Sequence, residues 1–259
     1  MKKSKEFEKT PEYNIKSCEK SILLIEQYFP LIKANSLSKK SFVVTIHRLL
    51  PYRLLRTAKP SINFIKQNDW IPASLLVRAC AETTSIIFAL NRKAKELVTS
   101  HNQKSFEIFC AKTMMASKIF DHKKEKLRAP NILTYIQKMD EEINDFYLVY
   151  KVLSEYCHPN VLGWYLYSDE YFIKTNQKKL LLKGDGKSKE TAEMFITLML
   201  RLSLSNAINS LIETERILEK YYSKDILKTQ SVRLRKNMSI TNDETIYQDF
   251  FLHNLYLLA

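Results

Sequence analysis

The sequence predicts a mainly α-helical fold, a helical bundle with one small β or irregular insertion, and three observations carry that prediction. Apolar residues recur every three or four positions along most of the chain, the spacing that lines one face of a helix. Only three glycines, Gly163, Gly184 and Gly186, occur in 259 residues, too few for folds that depend on many tight turns or phosphate-cradling loops. Aliphatic and aromatic residues make up 45% of the chain, enough for the core of one large or two small domains.

The elements follow in order. After a charged N-terminal arm, Ile22, Leu23, Ile25, Tyr28 and Phe29 keep helical spacing up to Pro30, which breaks or kinks the pattern. Phe42, Val43, Ile46, Leu49 and Leu50 form a second stripe, and Pro51 and Pro60 then predict a short helix and a connection rather than one rod. Asp69-Trp70-Ile71-Pro72 opens the clearest helix, an aspartate with a proline in the first turn being a start signal, and the pattern continues to about Val98. Leu75, Leu76, Ala79, Thr83, Ile86, Ile87 and Leu90 are its expected buried stripe, with Arg78 and Glu82 four apart inside it.

A further helix is expected from Gln103 to about Lys123, ending in the cationic run from Lys123 to Arg128, where lysines suit the negative end of a helix dipole. A short helix follows over Asn131 to Met139, then one through Phe146, Leu148, Val149, Val152 and Leu153 that stops at His158-Pro159. Between residues 164 and 183 the runs Trp164–Tyr167, Tyr171–Lys174 and Lys179–Leu182 are β-prone and predict a hairpin or flap. A long amphipathic helix then runs from near Ser188 to about Tyr222. Six cations against one acid between Lys220 and Lys236 read as a basic linker, and Ile246, Tyr247, Phe250, Phe251 and Leu255 as the apolar face of a short terminal helix that docks on the body or on a protein partner. The expected organisation is an N-terminal helical region at 1–68, a helical core at 69–222 and the linker with its helix at 223–259.

The formal net charge of +13 suits a polyanionic partner such as RNA, DNA or an acidic membrane surface, or a merely solvated lysine-rich surface. Cys18, Cys80, Cys110 and Cys157 stand singly, as in a reduced, cytoplasmic protein, and no apolar start resembles a signal peptide. No uninterrupted apolar run approaches the roughly 20 residues that span a bilayer, so no transmembrane segment is expected. Walker, GxGxxG, HExxH and GxSxG patterns are absent, which points away from the enzyme classes built on them and implies no cofactor or metal. His47, His101, His122 and His253 are isolated and read as surface or core residues.

His158 differs because a helix ends on it and polar side chains precede it. Lys151, Ser154 and His158 project near one another while Leu153 and Tyr156 or Cys157 face the core. Six residues separate Lys151 from His158, a spacing that resembles the R-x4–6-H motif of the HEPN superfamily of all-helical domains, which includes metal-independent ribonucleases, toxins and nucleotide-binding modules. The preceding long helix with Arg78 and Glu82 is similar to bacterial HEPN-like proteins as well, and the likeness covers about Trp70 to Tyr222. It departs in one respect: lysine stands where the motif carries arginine, which keeps the charge and loses the planar fork that grips phosphate.

The resemblance implies a HEPN-like core, RNA cleavage or RNA binding in a toxin or phage-defence setting, attack by the RNA 2′-hydroxyl with a cyclic phosphate product, and a homodimer whose paired motif helices line one cleft. In a metal-free mechanism His158 moves the proton, Lys151 and Arg78 face the phosphorane charge, and Glu82 orients Arg78 or His158. Ser154 and Asn160 are candidate phosphate donors, and Lys178, Lys179 and Lys183 a candidate nucleic-acid platform. Two other readings stay open. Arg78 and Glu82 suit a partly buried ion pair and His158 a helix end, or the chain is a noncatalytic interaction protein with a basic surface.

Overall fold

Thr10 and Pro11 begin the first helix: the threonine side chain accepts the Tyr13 N–H at 3.2 Å and the proline occupies the first turn. This computed structural model describes residues 10–29, 42–115, 131–158, 170–174, 179–183 and 186–222. It is a mainly α-helical structure with seven helices among the described residues: α1 Pro11–Tyr28, α2 Phe42–Lys66, α3 Trp70–Ser100, α4 Gln103–Met115, α5 Ile132–Asp140, α6 Phe146–Cys157 and α7 Gly186–Tyr221. Between α6 and α7 the backbone of β1, Glu170–Lys174, pairs antiparallel with β2, Lys179–Lys183, in the register Glu170 to Lys183 through Lys174 to Lys179. Residues 1–228 cluster into one unit and 229–259 into another. The latter, with the terminal helix expected around Ile246 to Leu255, lies outside the described residues, as do Pro30, the cationic run at 123–128, His122, His253, Asn160 and Lys178.

Two expectations are corrected. The first concerns Pro51 and Pro60, which do not divide α2; the helix runs through both. Each ring removes one backbone hydrogen bond at a cost of about 3 kcal/mol. Burial of Ile46, Leu50, Leu54, Ala58, Ile62 and Ile65 holds the helix against the rest of the protein despite that loss, since full burial of a single aliphatic side chain is worth roughly 1.5–3 kcal/mol. Leu49, expected inside, is 44% exposed.

The second correction concerns the α3 stripe. Thr83, Ile87 and Leu90 are buried as expected, but Leu75 is 49% exposed, and Ala73, Val77, Cys80, Ala81, Thr84, Asn91 and Ala94 are buried as well. Small residues on this face let neighbouring backbones approach closely, so the buried side takes alanine, cysteine and threonine beside Ile87, Leu90 and Leu97. The helix ends on His101, which takes the left-handed conformation at φ 53°, returns its N–H to the Leu97 carbonyl at 2.9 Å, and places ring Nδ1 3.1 Å from the Tyr221 hydroxyl. A histidine isolated in the sequence thus serves as a helix cap tied to the end of α7.

The most extensive contact joins α3 to α7, with α1 and α2 packed alongside. By length and composition both α3 and residues 190–221 of α7 are apolar enough to cross a membrane, and most of each apolar window is buried inside the protein. The interface carries a row of polar bonds onto α7. Asn14 donates to Thr197 Oγ1 at 3.2 Å, Thr84 to the Ser203 carbonyl at 3.1 Å, and Asn91 to the Ser210 carbonyl and Thr214 Oγ1 at 3.2 Å each. His47 Nε2 lies 3.4 Å from the Leu211 carbonyl, and Arg48 Nη2 pairs with Glu215 Oε1 at 3.1 Å with both side chains 3% exposed. The Arg48 guanidinium also stands over the Phe29 ring, 5.8 Å from its centroid.

Burial above all, and then the Arg48 charge, push the His47 pKa down to about 3 against the opposing bond to Leu211. The unfolded chain protonates this histidine below about pH 6.5 while the folded chain keeps it neutral. Its contribution to stability is therefore full above pH 6.5 and falls by about 1.4 kcal/mol per unit as the pH drops toward 3. Urea unfolding of wild type and His47→Gln between neutral and acid pH will show a shallower acid loss in the variant; parallel curves would refute the assignment.

Removing one member of the Arg48–Glu215 pair takes away the opposite charge held 3.1 Å from the other buried one, a loss of about 3–5 kcal/mol. Unfolding curves should show that loss for Arg48→Met alone and recovery of most of it in Arg48→Met combined with Glu215→Leu. Additive losses in the double variant would contradict the pairing.

Candidate functional site

Helix α6 follows directly from its sequence. Phe146, Val149, Tyr150, Leu153 and Tyr156 recur at helical spacing and all are buried. Asp145 precedes the helix at φ 68° without capping it, and Asp140 from the end of α5 supplies the cap by accepting the Tyr147 N–H at 2.9 Å. Arg92 of α3 holds the same corner through the Lys138 carbonyl at 3.4 Å and Glu141 at 3.2 Å.

Across from α6, α3 presents Arg78 and Glu82. Arg78 Nε lies 3.3 Å from Glu82 Oε1 and 3.2 Å from the Tyr150 hydroxyl, which itself donates to Glu82 Oε1 at 2.9 Å. The guanidinium carbon sits 5.4 Å from the Tyr150 ring centroid, so the aromatic face and the carboxylate together fix the arginine. The two side chains of the ion pair are 31% and 25% exposed, which leaves the group open to solvent. One turn further along, the Cys157 thiol lies 3.6 Å from Ser74 Oγ.

The electrostatics follow from this packing. Burial lowers the Arg78 pKa, but the bond to Tyr150 and the charges of Tyr150 and Glu82 outweigh it and the net shift is upward. Burial also raises Tyr150, with the Arg78 bond opposing and Glu82 reinforcing. Cys157 is raised by burial against the Ser74 bond and Arg78, which keeps the thiol protonated and poorly nucleophilic.

The structure brings together some of the residues singled out in the sequence and separates others. Arg78 and Glu82 meet α6 at Tyr150, one position before Lys151. Lys151, Glu155 and His158 form an exposed stripe about 100° round the helix from Tyr150 and Cys157. Lys151 Nζ rests 4.8 Å from the centroid of the Tyr147 ring, and His158 ends the helix in extended conformation with its N–H on the Glu155 carbonyl at 3.2 Å. Ser154 is half-buried and donates its hydroxyl to the Tyr150 carbonyl at 2.8 Å, so its proton is already committed. Lys179 and Lys183 lie at opposite ends of β2.

Tyr150 was not among the residues the sequence singled out, because at helical spacing it counts as one more apolar residue. The signal that could have found it is chemical: a buried tyrosine hydroxyl requires a partner, and Arg78 and Glu82 were the unassigned polar pair. Among the described residues no group of three or more His, Cys, Asp or Glu side chains is arranged to hold a metal ion. Compared with protein-family models, curated proteins and solved structures, the chain matches none of them.

Tyr150→Phe removes the hydroxyl that ties α6 to both charged groups of α3. Thermal melts should show a loss of about 1.5–3 kcal/mol, the range for a hydrogen bond to a charged partner. A melt unchanged from wild type would mean that the Arg78–Glu82 pair holds without α6.

Proposed function

We propose that this protein is a HEPN-like, metal-independent RNA endonuclease whose phosphate site lies along the α3–α6 face. One observation supports it most: Arg78 is fixed by Tyr150 and Glu82 against the helix that also carries Lys151 and His158. Nε is held by Glu82 and Tyr150 and the guanidinium also bonds the Cys157 thiol, which sets a planar cation, partly open to solvent, where it meets a phosphate oxygen. Lys151 adds a second, exposed cation. His158, at the exposed end of α6, takes the proton of the attacking 2′-hydroxyl or returns one to the leaving 5′-oxygen, and the products are a 2′,3′-cyclic phosphate and a free 5′-hydroxyl. Glu82 and Tyr150 orient the arginine. The toxin or phage-defence setting, and a homodimer that would place two copies of Lys151 and His158 at one cleft, come with the HEPN resemblance.

A second reading, a noncatalytic helical interaction protein with a basic surface, is favoured by one feature: His158 makes no side-chain bond to the Arg78 group. Cleavage of total RNA in excess chelator separates the two. Wild type should cut, His158→Ala should fall by about 10²-fold or more, Arg78→Ala by about 10²-fold, and Lys151→Arg should cut faster because it restores the fork. Absence of cutting, or cutting that survives His158→Ala, would leave the noncatalytic reading.

A further inference from the structure

Helix α2 carries two kinds of cation. In its second half Lys59 pairs with Glu26 of α1, and Lys66 pairs with Glu19 at 2.6 Å. Around its middle Arg53 and Arg56 are exposed, and neither has an ion-pair partner among the described residues. Leu49 and Tyr52, 44% and 37% exposed, precede them at the same helical spacing. The positions 49, 52, 53 and 56 therefore form a single outward ridge.

Such a ridge works against the isolated helix. Like charges three or four residues apart repel, an exposed leucine and tyrosine gain nothing from water, and α1 supplies carboxylates to the lysines further along but not here. We propose that this ridge is a contact surface for single-stranded nucleic acid, with Arg53 and Arg56 on successive backbone phosphates and Tyr52 stacked on a base beside Leu49. An aromatic ring set next to two arginine forks offers both things a single strand presents, a repeating negative backbone and apolar base faces. The chain's net charge of +13 draws the same class of polyanion toward it. The proposal extends the RNA reading to a surface on another helix and does not require His158 to be catalytic.

The test is fluorescence anisotropy of the full-length protein with a labelled oligothymidylate, which lacks the 2′-hydroxyl and cannot be cut by the chemistry above. Wild type should bind in a salt-dependent manner. Arg53→Gln with Arg56→Gln should weaken binding at least about ten-fold and flatten the slope of log affinity against log salt by about 1.4, the counterion release of two phosphates on a single strand. Tyr52→Ala should weaken binding by about ten-fold through lost stacking. All three side chains are exposed, and unchanged circular dichroism would confirm that the variants fold.

A double arginine variant that binds like wild type overturns the ridge, as does a wild type that binds no oligothymidylate. RNA cleavage that depends on His158 in the same preparations would show that the cleavage reading survives that failure. Loss of binding in the ridge variants with no cleavage by any form would sink the nuclease and keep the ridge. Release from phosphatidylserine vesicles by the arginine substitutions, with oligothymidylate affinity unmoved, would assign the surface to a membrane and also overturn the proposal.

Discussion

The close approach of α3 and α7 is the constraint on which the other helices depend. Two long helices with small residues between them can slide past one another, because aliphatic contacts favour many nearby registers almost equally. The bonds from Thr84 and Asn91 of α3 to α7 remove that freedom, and those from Asn14 of α1 and His47 and Arg48 of α2 tie the neighbouring helices to the same helix. A shift of one turn would strand several buried donors and acceptors at once, each at a cost of about 1–3 kcal/mol. The seam therefore contributes less to total stability than to the choice of a single packing. With α3 fixed, Arg78 and Glu82 are fixed too, and α6 meets them at one height.

Much of this architecture was legible from apolar periodicity. The start of α3, the end of α6 at His158 and the polar pair within α3 follow from patterns of a few residues. The misread parts share a physical origin. Leu75 and Leu49 were taken for core because they are large and apolar, yet both are exposed, while the buried face of α3 includes alanine, cysteine and threonine, whose burial periodicity is faint on a hydrophobicity scale. Pro51 and Pro60 were read as breaks because local rules price the lost hydrogen bond but not the tertiary contact around it. At the candidate site, Arg78 and Glu82 could be paired from their spacing, whereas Tyr150 could not: its role depends on which helix lies opposite, and that is information held between elements.

The two cations of the α3–α6 face, Lys151 and Arg78, differ in kind. A lysine is a flexible point charge, and here it rests on the Tyr147 ring with water on its other side. The rigid, planar cation of the site is Arg78, on a different helix and braced by a phenol and a carboxylate. In the proposed nuclease reading the arginine fork stands on α3 and the lysine on α6, so the geometry of the two cations depends on how well α3 and α6 are docked.

The two prolines of α2 have a consequence for ligand linkage. A helix that lacks two of its internal hydrogen bonds has little tendency to form alone, so the order of Arg53 and Arg56 along one line is a product of the folded core. The unfolded chain holds the same charges at random spacing. A polyanion that reads the spacing of the ridge consequently favours the folded chain, and its binding energy adds to the folding free energy by mass action. With a polyanion bound as proposed, helix α2 would couple occupancy of an exposed surface to the cohesion of the folded chain, and saturation would slow the local opening through which such a chain is first cut by proteases.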